Sequence, residues 1–358
     1  MQRLTSSETG DDCDSRPVET CDEKILLALT APERNQFFPS QDLTTIDAVE
    51  CQSIDPLSIS SPDQWSSLLQ EIRPTILVSC WGTPRVPYPL VSCGHLPLRY
   101  ICHAAGSVRN VVPREFIANG GVATNWGGLV GHSVAEHALL LILASLRNLP
   151  QWHMALSGDM NRRWGKGPQM GTLSLRGRKV GIHGFGNIAR ELTRLLKPFD
   201  VNCCAYSEGV PVELMRQHGV QPCNSLEELF AHSEVLAECE SLTSKSVGIV
   251  NEDILKLIPK GGVFVNVARG AIVDQAALDR VARMGHIRVA SDVFYEEPLP
   301  EDSPLRTNPN VLISPHIGGP TADCFPRCGA FALKNISRYL AGEPLESRIT
   351  LEIFDRST

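Results

Sequence analysis

The chain has no apolar run near the roughly 20 residues that a membrane-crossing helix needs. Its longest, Ala138–Leu146, has the length of a buried helix. It has no excess of basic charge either: 33 Lys and Arg against 40 Asp and Glu leave a net charge of −7. That balance argues against nucleic acid or an anionic membrane as a partner. The 12 cysteines are scattered, without a C-x-x-C pair or metal-ligand spacing. Reduced thiols in the cytoplasm fit this usage better than a disulfide framework, and no metal is expected. The opening stretch, MQRLTSSETGDDCDSRPVETCDE, is polar and acidic and lacks the apolar centre of a signal peptide. Residues 1–23 read as a disordered leader.

What is present is a chain of 358 residues, 42% hydrophobic, enough for two cored domains. The most informative stretch is KVGIHGFGNIARELTRLLKPFDVNCCAY, Lys179 to Tyr206. An apolar run breaks at Gly184-Phe185-Gly186-Asn187-Ile188-Ala189, continues with helical spacing through Leu192, Leu195 and Leu196, and becomes apolar again from Val201. Strand, glycine turn, helix and strand in that order are the context in which a G-x-G-x-x-G/A pattern binds a dinucleotide. Gly184 permits the tight turn, Gly186 admits the pyrophosphate, and Ala189 lets helix and strand pack closely. The helix N-terminus offers its unpaired N–H groups to the phosphates.

Strands and helices alternate on both sides of this stretch, which calls for parallel sheets with right-handed crossovers. The expected fold is α/β, with a smaller α/β domain ahead of the glycine turn and a doubly wound (Rossmann) parallel-sheet domain around it. A long helix is expected over Val134–Arg147, capped by Ser133 and ended by Pro150. A final helix, Ala322–Leu340, is expected to return to the first domain.

Ligands of such sheets bind beyond the carboxyl ends of the strands. Three polar residues fall there: Arg269 after Val263–Val267, Glu297 after Ile287–Val293, and His316 after Val311–Ser314. Each alone could be an ordinary loop residue. Together they supply a bidentate carboxylate binder, an acid/base near neutral pH and a carboxylate that favours a protonated imidazole.

The segments NVARGAIVDQAALDRV, SDVFYEEPLPEDSPL, NVLISPHIGGPT, GRKVGIHGFGNIA and SVAEHALLLILASLRNLP resemble the signatures of the D-isomer-specific 2-hydroxyacid dehydrogenases, from about Tyr100 to about Pro344. The resemblance implies hydride transfer between a nicotinamide cofactor and a 2-oxo or 2-hydroxy acid. Arg269 then binds the substrate carboxylate, His316 is the acid/base, and Glu297 tunes it. The cofactor is expected at Gly184, Phe185, Gly186, Asn187 and Ile188, at Ser207 and Glu208 after the second strand, and at Cys239, Ala268, Asp292 and Gly318. Substrate is expected at Trp81, at the loop containing Gly106 and Ser107, and at Arg109. A homodimer through the cofactor domain is also implied, as is the insertion of that domain, residues 126–319, in a flavodoxin-like substrate domain of residues 24–125 plus 320–358.

Three departures stand out. An aspartate that usually ends the second strand is replaced by Ser207, followed by Glu208, with no neighbouring arginine for a 2′-phosphate. That charge pattern favours NAD and leaves NADP open. The family's H-x-P-L-T-like segment reads Cys239-Glu240-Ser241-Leu242-Thr243, and the early loop holds Arg109-Asn110 where an aspartate is usual. Arg109 could meet a second substrate anion or serve as a structural arginine. The reading is an NAD(P)-dependent oxidoreductase. Its rivals are a formate-dehydrogenase-like enzyme, which Glu297 opposes because glutamine is expected there, and a cofactor-sensing protein resembling the family's corepressors.

Overall fold

A computed structural model describes residues 23–92, 94–158 and 171–356. All of the expected leader except Glu23 lies outside the described residues. The first sheet contains β1 (Ile25–Ala28), β2 (Thr45–Ile46), β3 (Val49–Ile54), β4 (Ile76–Ser79), β5 (Tyr100–His103) and β6 (Val122–Thr124). Their order is β2-β3-β1-β4-β5-β6, and only β2 runs antiparallel. From β3 onward this is the flavodoxin order. β1 and β4 are almost wholly apolar and buried along their length, as parallel strands covered on both faces must be. The β2–β3 hairpin is absent from the sequence expectations. Its turn, Asp47-Ala48, takes positive φ at both residues (51° and 66°) without the glycine or asparagine that normally announces it.

The second sheet contains β7 (Lys179–His183), β8 (Asn202–Tyr206), β9 (Gln221–Pro222), β10 (Val235–Glu238), β11 (Gly262–Asn266), β12 (Ile287–Ser291) and β13 (Val311–Ile313). It is parallel throughout, in the order β13-β12-β11-β10-β7-β8-β9. That is the doubly wound dinucleotide order with one added strand. Several of its helices are capped by residues visible in the sequence. Ser225, Asn251 and Asp274 accept from the N–H groups of Glu228, Ile254 and Ala277, each cap contributing about 1 kcal/mol.

The helix Asn187–Leu196 buries Ala189, Leu192 and Leu196, and packs against the helix Gly131–Leu146. Each leucine stabilises by about 1.5–3 kcal/mol. Helix Gly131–Leu146 starts earlier than expected: Ser133 lies within it, and the N-cap is Val130, with no side-chain cap. Gly131, its first residue, lies against Asn187 and Ile188 at ordinary van der Waals distance. Pro150 does not end this helix but falls in the first turn of the next, Leu149–Gly158, where a missing N–H costs nothing. The break is made by Asn148, at φ 51°. Val134 packs against both cores and so marks their junction. The last long helix, Phe325–Leu340, returns to the first sheet and packs on Ala31–Phe37 and β5. Gly329 allows this approach, since a Cβ there would lie 1.8 Å from the Phe37 carbonyl oxygen. No helix among the described residues is long and apolar enough to cross a membrane.

Candidate active site

β7 runs into a turn that only glycine can make. Gly184 has φ 84°, and a Cβ there would lie 2.5 Å from Glu240 Cα. Gly186 is the reverse case, with open space where a Cβ would point. It is also the N-cap of the following helix and makes no side-chain cap, so that helix presents its first N–H groups outward. Beside this turn a cavity of about 660 Å³ is lined by Gly186, Ser207, Glu208, Cys239, Glu240 and Lys245, among others. An open glycine, an uncapped helix start and an adjoining cavity fit a dinucleotide. Asn187 accepts from Arg190 Nη2, and Ile188 is half-buried behind it. Phe185 turns into the core, its ring edge-on to His218.

Further along the same carboxyl edge, the loops after β11, β12 and β13 meet. Nδ1 of His316 lies 2.7 Å from Oε2 of Glu297, and the two side chains are 45% and 36% exposed, so the pair opens to solvent. The other Glu297 oxygen accepts from the Phe294 N–H at 2.8 Å. Arg269 is largely buried and donates from Nη1 to the Ala268 carbonyl at 2.7 Å. Burial lowers its guanidinium from the ordinary value and Glu297 opposes that shift, which places cation and carboxylate in electrostatic range. The loops can come this close because of Gly270: a Cβ there would stand 1.9 Å from Phe294 carbonyl carbon.

His316 is held in a conformation uncommon for a non-glycine residue, φ 54°, at a cost of about 1–3 kcal/mol. Its N–H donates to the Asp292 carbonyl at 2.8 Å. The Asp292 carboxylate accepts from Ser314 Oγ (2.5 Å) and from the N–H groups of Ile317 (3.0 Å) and Gly318 (2.7 Å). Nε2 of His137 approaches it to 3.3 Å. Burial pushes the Asp292 carboxyl up, but these four partners outweigh it and hold the group below its ordinary value.

Residues 139–318 match the family model described as D-isomer specific 2-hydroxyacid dehydrogenase, NAD binding domain. The chain belongs to the D-isomer specific 2-hydroxyacid dehydrogenase family. It is 31% identical over 256 residues to a D-3-phosphoglycerate dehydrogenase of Methanocaldococcus jannaschii, covering 71% of this chain and 48% of that protein. A glyoxylate reductase of Aeropyrum pernix is 29% identical over 302 residues, 82% of this chain and 88% of its own length. The crystal structure of a 2-hydroxyacid dehydrogenase from Ketogulonicigenium vulgare shares the fold, with a TM-score of 0.75 at 21% identity over 92% of this chain and 99% of that one. The chain spans about half the length of the phosphoglycerate dehydrogenases it matches.

Within this family fold, several residues stand differently from the sequence expectations. Arg109, read as a possible anion contact, donates from Nε and Nη2 to the carbonyls of Phe354 and Asp355 at 2.8–3.0 Å, holding the C-terminal helix Leu351–Arg356. With Nε and Nη2 committed to backbone, it takes the structural of the two expected roles. Asp292, placed among cofactor contacts, is 2% exposed; its Oδ1 takes Ser314, Ile317 and the approach of His137 and its Oδ2 takes Gly318, so in this structure the carboxylate braces the His316 loop. Gly318 is part of the same brace. Cys239 adjoins the turn and is half-buried at the cavity wall, while Ala268 is buried just past β11. Glu208 pairs with Lys245 at 2.7 Å, and Arg356 lines the same cavity, so cations absent from the local sequence arrive from elsewhere in the chain.

On the first sheet, Gly106 and Ser107 follow β5, half-buried. Asn125 Nδ2 donates to the Gly106 carbonyl at 2.6 Å, and Trp126 covers Gly106 so closely that a Cβ would lie 2.7 Å from its ring. Trp81 is 51% exposed and stands edge-on to Trp126, Phe37 and Phe325. Asn125, Trp126, His137 and Glu240 are absent from the sequence expectations. Asn125 and Trp126 directly follow β6, where the strand-end rule would have found them.

Proposed function

We propose that this chain is an NAD(P)-dependent oxidoreductase that interconverts a small 2-oxo acid and its D-2-hydroxy acid. The observation that carries the proposal is the His316–Glu297 pair at 2.7 Å, with Arg269 beside Glu297, on the sheet edge that also bears the Gly184–Gly186 turn. In the reductive direction the Arg269 guanidinium holds the substrate carboxylate and polarises the adjacent carbonyl. The loop at Gly106 and Ser107 closes on the same carboxylate, and Trp81 walls the substrate side chain. His316 donates the proton from Nε2 to the carbonyl oxygen, while Glu297 holds Nδ1 and fixes the ring's orientation. A nicotinamide cofactor, its pyrophosphate held by the Gly184–Gly186 turn, would supply the hydride. The residues that would hold substrate and cofactor belong to a substrate domain (24–125 plus 320–358) and a dinucleotide-binding domain (126–319).

The free state of all nine cysteines among the described residues supports a reducing cytoplasm. Leu140 and Leu149, 56% and 58% exposed on consecutive helices of the cofactor domain, support a homodimer through that domain. The acidic balance supports neither nucleic acid nor membrane as a partner. A corepressor-like sensor is the weaker reading, since the relatives above are named for dehydrogenase and reductase activity and the family match over residues 139–318 spans Arg269, Glu297 and His316. The test is oxidation of NADH and NADPH with glyoxylate, pyruvate, hydroxypyruvate and bulkier 2-oxo acids. Turnover of at least one is expected; negligible turnover across the whole panel would refute the proposal.

A further inference from the structure

Ser207 leaves the end of β8 without the carboxylate expected there, yet the structure supplies one from another strand. Glu240, in the loop after β10, reaches across so that its Oε2 accepts from Ser207 Oγ at 2.9 Å. Its Oε1 accepts from the Ser241 N–H at 2.8 Å, and its own N–H donates to Oε1 of buried Glu238 at 2.9 Å. Glu238 is fixed in turn by His183, whose Nδ1 lies 2.6 Å from Oε2. The backbone of Glu240 lies directly against the Gly184 turn. Glu240 is therefore clamped between the pyrophosphate cradle and the strand end where a ribose would lie, and it lines the cavity there.

The charges around this cavity are otherwise balanced in pairs. Glu208 is matched by Lys245 at 2.7 Å, Asp355 by Arg114 at 2.8 Å, and Arg356 by Glu352 at 3.1 Å. Among the described residues Glu240 forms no ion pair; its partners are a hydroxyl and an N–H. The uncompensated charge at the rim is negative. A carboxylate so placed accepts from a ribose cis-diol through two hydrogen bonds and repels a 2′-phosphate.

We propose that Glu240, carried on Ser207, is the residue that reads the adenosine ribose and selects NAD(H) over NADP(H), replacing an acid at position 207 by one delivered from the neighbouring strand. This rests on the dinucleotide reading above and goes beyond it in naming the cofactor and the selecting group. Lys245 and Arg356 do not build a phosphate site, because each already faces a carboxylate.

Equilibrium binding of NADH and of NADPH to the full chain tests this, with thermal unfolding as a check on folding. Wild type is expected to bind NADH more tightly than NADPH. Glu240→Gln, which keeps a side-chain carbonyl for Ser207, is expected to weaken NADH about tenfold or more while leaving NADPH unchanged or tighter, as loss of charged hydrogen bonds dictates. Ser207→Asp in the Glu240→Gln background is expected to recover NADH binding, a rescue that a purely structural role for Glu240 does not allow. Wild-type-like NADH binding by Glu240→Gln overturns the proposal, as does wild-type preference for NADPH or a loss that follows Glu208→Gln in place of Glu240→Gln. Failure of wild type to bind either cofactor overturns the dinucleotide reading itself.

Discussion

Along the carboxyl edge of the second sheet, polar side chains are tied to one another and to backbone: His316 to Glu297, Asp292 to the His316 loop, Glu240 to Ser207. Along the corresponding edge of the first sheet, aromatic rings predominate, with Trp81, Trp126, Phe37 and Phe325 in edge-to-face contact beside the Gly106 loop. Its one arginine of apparent functional promise, Arg109, holds the C-terminal helix. The contrast separates two tasks. Reaction chemistry needs groups at fixed distance and charge, so it is braced; a wall for a substrate side chain needs shape and exclusion of water, which rings provide.

The largest effect should come from removing the braced cation. Arg269→Ala is expected to lower kcat/KM for a 2-oxo acid roughly 10³-fold, about 4 kcal/mol of transition-state stabilisation, read by steady-state kinetics. Next is the close approach that brings the loops together. Gly270→Ala forces a Cβ into the Phe294 backbone. A loss of about 3 kcal/mol or more is expected in chemical denaturation.

This brace was only partly legible in the sequence. Arg269, Glu297 and His316 could be placed on one edge because each directly follows an apolar strand, and strand ends are marked by composition. The same regularity made the parallel order of the second sheet readable. Glu240 escaped because its partner Ser207 lies 33 positions away, across the sheet. His137 escaped for a related reason: it lies on a helix that looks uniformly apolar, and its partner Asp292 is brought to it only by packing. Arg109 misled because a cation near a substrate loop gives no sign that carbonyls some 245 residues later will occupy it. The β2–β3 hairpin was hidden by a turn that lacks the usual turn residues.

Smaller effects test the supports beneath each edge. Burial disfavours charge on His183, but Glu238, with Glu240 behind it, overrides burial and holds the imidazole above its ordinary value. A raised folded value means the stabilisation is fully present below about pH 6.5 and is lost as pH rises through the folded value. The unfolding midpoint of His183→Gln should therefore fall below that of wild type by ~2 °C or more near pH 6, and by less near pH 9. On the first sheet, Arg109→Ala should cost only about 1 kcal/mol and leave kcat/KM within roughly threefold, while the C-terminal helix is cut faster in limited proteolysis. A large kinetic loss there would restore Arg109 to the substrate site and blur the contrast between the edges.

The most direct test is the turnover of His316→Ala with a 2-oxo acid that wild type reduces, measured alongside NADH binding. Intact binding is expected, with a loss of about 10²–10⁴-fold in turnover, the range for a removed general acid. Intact binding with turnover at the wild-type rate would contradict that role for His316.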